Sequence, residues 1–101
     1  MRALEVQSLT GPDGLAIVDR PEPQDDGRSV IIDVAYAGVS FPDLLQTKGM
    51  YQIRPEPPFI PGVEASGVVR SAPADSGVSP GDRVAVWGST CHAQVVAGHP
   101  D

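Results

Sequence analysis

Val30-Ile31-Ile32-Asp33-Val34-Ala35-Tyr36-Ala37 decides the fold. Val30, Ile32, Val34 and Tyr36 fall on one side of a two-residue repeat, while Ile31, Asp33, Ala35 and Ala37 fall on the other. The run is rich in β-branched residues and carries a single charge, Asp33, which marks the wetter face. It predicts a central strand. Working outward, shorter runs of the same kind predict strands over Met1 to Val6, Leu15 to Asp19, Ala65 to Arg70, Asp82 to Val86 and Ala93 to Ala97. Clusters of Gly, Pro and Asp separate them. Thr10-Gly11-Pro12-Asp13-Gly14 joins the first two as a hairpin-like loop, and Ser79-Pro80-Gly81-Asp82 reads as a type II turn, after which Val84 to Trp87 runs inward.

Only one helix is expected. It begins at Ser40-Phe41-Pro42-Asp43, where Ser40 caps the first turn and Asp43 stands at the third helical position, and it ends near Gly49. Arg54 to Gly62 then holds four prolines in nine residues, which excludes a helix or a central strand and leaves a stiff extended loop. Short strands punctuated in this way point to an all-β barrel or sandwich.

Composition narrows the function classes. The chain has 101 residues, which sets the expectation of one domain over 1–101 around one core. Its formal charge is −6, with seven basic residues against 13 acidic ones, and no basic run is present to neutralise phosphates, so nucleic acid is not expected as a partner. Asp33 interrupts the most apolar stretch, so no membrane span is expected. Met1-Arg2-Ala3-Leu4 leads straight into Glu5 and Gln7 with no apolar signal core, and Cys91 is the only cysteine; both features fit a reducing cytoplasm.

Four ordered motifs carry a resemblance: Gly38 to Leu45, Gly49-Met50-Tyr51, Pro58 to Val69, and Pro80-Gly81-Asp82-Arg83-Val84. In this order and spacing the chain resembles the medium-chain dehydrogenase/reductase superfamily, in particular its quinone oxidoreductase branch. The resemblance implies the amino-terminal catalytic domain: a mainly β, GroES-like distorted Greek-key barrel with one short helix. Such a domain packs against a Rossmann domain that is absent from this chain. No two glycines here are separated by a single residue, so there is no G-x-G-x-x-G dinucleotide fingerprint. NADPH or NADH is therefore expected mainly on the absent domain. The barrel is expected to be incomplete and to expose apolar surface prone to self-association.

The resemblance also bears on metal. Relatives that hold a catalytic zinc carry Cys and His where this chain has Ser40 and Val63, and neither replacement ligates zinc. The four-Cys structural zinc loop is missing too. Cys91, His92 and His99 form an alternative cluster, but adjacent side chains on a strand face opposite ways, so no metal site is expected. A zinc-free reductase must instead polarise its carbonyl with hydrogen-bond donors. The resemblance makes Tyr51 and Ser40 the catalytic candidates, and Phe41, Ile60 and Val63 the walls for a flat quinone or enone.

Each candidate has a plainer structural alternative. Ser40 is equally read as a helix cap, Tyr51 as an aromatic packed under the proline loop, and Phe41 and Ile60 as ordinary core. Glu64 and Asp43 read as scaffold carboxylates, and Arg70, Arg83, Asp75 and Asp82 as solvated turn charges. The function expected is the substrate-side half of an NAD(P)H-dependent quinone or enone oxidoreductase, inactive alone. The alternatives are a non-catalytic barrel module, or a zinc-free relative of alcohol dehydrogenases or enoyl reductases.

Overall fold

The computed structural model describes residues 1–52, 55–88 and 90–98. Six strands and one helix follow in order: β1 (Arg2–Val6), β2 (Leu15–Asp19), β3 (Val30–Ala37), α1 (Phe41–Thr47), β4 (Glu64–Ser71), β5 (Arg83–Trp87) and β6 (Val95–Gly98). A short 3-10 turn, Pro12–Gly14, closes the β1–β2 hairpin. The other four strands form an antiparallel sheet in the order β5-β4-β3-β6, so three consecutive strands meander and the fourth returns beside the first. That is a Greek key, with β3 in the interior as its apolar run predicts.

Backbone bonds from the 92–94 segment join the hairpin to this sheet. Leu4 N–H donates to the His92 carbonyl at 2.9 Å, Gln94 N–H to Arg2 at 3.2 Å, and Val34 N–H to Gln94 at 2.9 Å. The same outer edge of β1 holds the proline-rich loop, where Val6 and Phe59 exchange both backbone bonds. The barrel is thus closed by loop bridges rather than by continuous ladders, and this distortion opens its walls for a site.

The core centres on Val30, Ile32, Val69 and Val96, with Val34, Val84 and Val86 packed against them. These are the inward positions of alternating strands. Several expectations need correction. Register shifts between Ile31 and Ile32 and between Val34 and Tyr36 break the β3 alternation, so Ile31 is buried while Tyr36 is turned out at 78% exposure. Trp87 also ends β5 on the outer face, 81% exposed, because Val84 and Val86 take the inward positions. The last strand starts at Val95, since Ala93 makes only an isolated bridge to Ala3.

Arg70 lies within β4 rather than in a turn. Its guanidinium donates to Asp33 on β3 at 3.1 Å and to Glu22 at 3.0 Å, and these carboxylates, Asp33 foremost, raise its pKa above the usual range. Among the described residues no helix is long and apolar enough to cross a membrane.

Candidate functional site

The site is built around an inverted helix. In α1 the buried side chains are Asp43, Gln46 and Thr47, while Phe41 and Leu44 face outward at 69% and 37% exposure. A helix normally turns its apolar stripe to the core, so a polar inner stripe must find partners there. Asp43 finds two. Its Oδ2 accepts the backbone N–H of Ser40 at 3.0 Å and lies 3.1 Å from His92 Nε2, a pair whose side chains are only 9% and 12% exposed. A carboxylate at that distance assigns the Nε2 proton to the donor role. Thr47 Oγ1 donates to the Leu44 carbonyl at 2.6 Å.

Ser40 occupies the N-cap in extended geometry (φ −132°, ψ 166°) and pairs with Asp43 in a capping-box arrangement. The carboxylate arm is well formed. Ser40 Oγ itself is buried without a hydrogen-bond partner among the described residues, as is Asp43 Oδ1. The segment presenting His92 is fixed by the Pro61-Gly62 turn: His92 N–H donates to Pro61 at 3.0 Å and Cys91 N–H to Gly62 at 3.3 Å. Gly62 has φ +115°, a region that strongly favours glycine, and a Cβ there would meet the His92 backbone nitrogen at 2.8 Å. Cys91 is fully buried beneath this turn. Burial first, then the Asp43 and Glu64 carboxylates, push its thiol pKa up.

Two cavities flank this framework. The larger, about 530 Å³, is walled by Tyr51, Phe59, Ile60, Val63 and Trp87, with Gln46 of α1 also facing it. The smaller, about 340 Å³, gathers Ser40, Asp43 and His92 with Leu4, Val39 and Leu44. Three of the five candidates from the sequence, Tyr51, Ile60 and Val63, therefore meet in one cleft. Ser40 stands in the neighbouring cavity, and Phe41 lines neither. Gln46 and Trp87 were not singled out. An inward glutamine in a seven-residue helix looks like any surface polar residue unless the outward Phe41 and Leu44 are noticed three apart. Of Cys91, His92 and His99, the trio from which no metal site is expected, His99 lies outside the described residues, as does Arg54 of the proline loop.

Residues 26–100 match the family described as the alcohol dehydrogenase GroES-like domain. The chain belongs to this family. As a GroES-like domain it superposes with a TM-score of 0.96 on a probable oxidoreductase from Mycobacterium abscessus, at 50% identity, covering 99% of this chain and 32% of that one. Against the quinone oxidoreductase from Thermus thermophilus, also solved in complex with NADPH, the TM-score is 0.80 at 36% identity, covering 99% of this chain and 30% of that one. Quinone oxidoreductase-like protein 2 from Rattus norvegicus is 50% identical over 58 residues, which cover 56% of this chain and 17% of that protein. The GroES-like domain thus spans less than a third of each of these three relatives.

Proposed function

We propose that this GroES-like domain forms the substrate side of a zinc-independent, NAD(P)H-dependent quinone or enone oxidoreductase. The carrying observation is the convergence of Tyr51, Ile60 and Val63 on one apolar-walled cleft of about 530 Å³. Aliphatic and aromatic walls with few polar groups suit a flat conjugated ring. The nicotinamide supplies a hydride, and the chain is assigned none of the groups that hold it. Tyr51 is assigned the donor that stabilises the carbonyl oxygen as it gains charge, and it gives that oxygen its proton. Ser40 serves at one remove, its backbone N–H tied to Asp43 and its hydroxyl buried beside the adjoining cavity.

The donor set supports a metal-free mechanism. Val63 offers only an isopropyl group, Ser40 a neutral hydroxyl, and Asp43 is already engaged by His92. Among the described residues no three His, Cys, Asp or Glu side chains come together in a way that could hold a metal ion. The lobe over 1–101 is assigned to a larger enzyme whose Rossmann domain covers the outward apolar residues Val39, Phe41 and Met50. A reducing, cytoplasmic setting fits the single buried thiol.

Titration of the ¹⁵N-labelled chain with duroquinone tests the proposal, since its four methyl groups block addition to thiols. Saturable shifts at Tyr51, Ile60 and Val63, with negligible NADPH oxidation by the chain alone, are expected. Ordinary enzymatic turnover of NADPH and quinone by residues 1–101 would refute the half-site reading.

A further inference from the structure

The inner stripe of α1 holds three polar side chains, and two of them are accounted for by protein partners. Asp43 is engaged by His92 and the Ser40 N–H, and Thr47 by the Leu44 carbonyl. Gln46 is the exception. It is 8% exposed and lines the larger cleft, and among the described residues its side-chain amide has no hydrogen-bond partner. Its amide is not fully sealed, as Ser40 Oγ and Asp43 Oδ1 are, and the side chain lines the larger cleft.

An amide withdrawn from bulk water without a partner is unfavourable unless something in the cavity satisfies it. A leucine or methionine would fit the same helical position and match the other cleft walls. The polar group therefore points to a polar feature of the occupant.

We propose that Gln46 is a specificity residue that recognises a second oxygen on the acceptor, so that the cleft selects quinones, with two carbonyl oxygens, over simple enones with one. This rests on the reading of the cleft given above and adds the substrate class to it. Gln46 and Tyr51 both face the cavity, one from α1 and the other from the loop that follows it. With Tyr51 serving the carbonyl that receives the proton, the Gln46 Nε2–H donates to the opposite carbonyl oxygen of the quinone. Hydride addition to the ring plus the proton from Tyr51 balances to the hydroquinone once the added hydrogen has tautomerised onto the opposite oxygen. That oxygen is then a hydroxyl, and the same side chain accepts from it through Oε1, because an amide offers both roles. Gln46 thus serves substrate and product without changing protonation state.

The test compares the affinities of wild type and Gln46→Leu for duroquinone and 2-cyclohexenone, with Gln46→Met as a second, flexible variant should the branched side chain disturb packing. The expected result is a loss of about three- to tenfold for duroquinone, the worth of one hydrogen bond, with cyclohexenone changed less than about twofold. Equal weakening of both probes would make Gln46 a structural residue and overturn the proposal. So would unchanged duroquinone affinity in both variants. Failure of wild type to bind either probe would overturn the reading of the cleft itself, a different outcome from a preserved ratio between probes that do bind.

Discussion

Gly62→Ala tests how the turn beneath the site is held. At φ +115° an alanine pays backbone strain of about 1–3 kcal/mol. Its Cβ would also stand 2.8 Å from both the backbone nitrogen and Cδ2 of His92 and 3.0 Å from Cys91 Cβ, so the 91–92 segment must shift, an overpacking cost of about 1–3 kcal/mol. Lower entropy of the unfolded chain returns about 0.4–1 kcal/mol, which leaves a net loss of about 1–6 kcal/mol. Gly77→Ala is the internal control. Its φ is +82°, but nothing lies within 4 Å of the added Cβ, so it carries the strain without the collision. Urea unfolding followed by far-ultraviolet circular dichroism should place Gly62→Ala below Gly77→Ala by about 1 kcal/mol or more, and the His92 ring resonances should move as its contact with Asp43 loosens. Equal destabilisation of the two variants, with His92 unmoved, would refute the claim that close packing at Gly62 positions this segment.

Three further outcomes follow from the same structure. Tyr51→Phe should weaken duroquinone binding by about two- to tenfold while the circular dichroism spectrum is unchanged, as loss of one donor requires. The raised Cys91 pKa means the folded chain holds its thiol proton more tightly than the unfolded chain. That stabilisation is complete below about pH 8.5 and is lost as the pH climbs through the folded pKa, so the advantage of wild type over Cys91→Ala in urea midpoint should shrink between about pH 7 and pH 10. Equilibrium dialysis at low micromolar zinc should recover no stoichiometric metal, since the Ser40 and Val63 side chains supply neither thiolate nor imidazole.

How far the sequence carried depended on whether a feature was local. The span of β3, the β2 boundaries and the start of α1 were legible because alternation, turn residues and the Ser40–Asp43 spacing act within a few positions. The Greek-key order came from the motif resemblance rather than from periodicity, because pairing β6 with β3 is a long-range event. The two register shifts in β3 left no mark in composition, and they turned Tyr36 outward. Nothing local links Asp43 to His92, 49 positions later; the Pro61-Gly62 turn brings them together. Gln46 stayed hidden for a related reason, since a polar residue betrays an inward role only when its helical neighbours Phe41 and Leu44 are seen to face out.

The location of the acceptor is the most direct test of the account, and intermolecular NOEs from the methyl protons of duroquinone measure it. Contacts to the methyls of Ile60 and Val63 and to the Tyr51 ring are predicted. Contacts confined to Leu4, Leu15 and Val39 in the neighbouring cavity, or a saturated complex with no contact to the Tyr51 cleft, would contradict it.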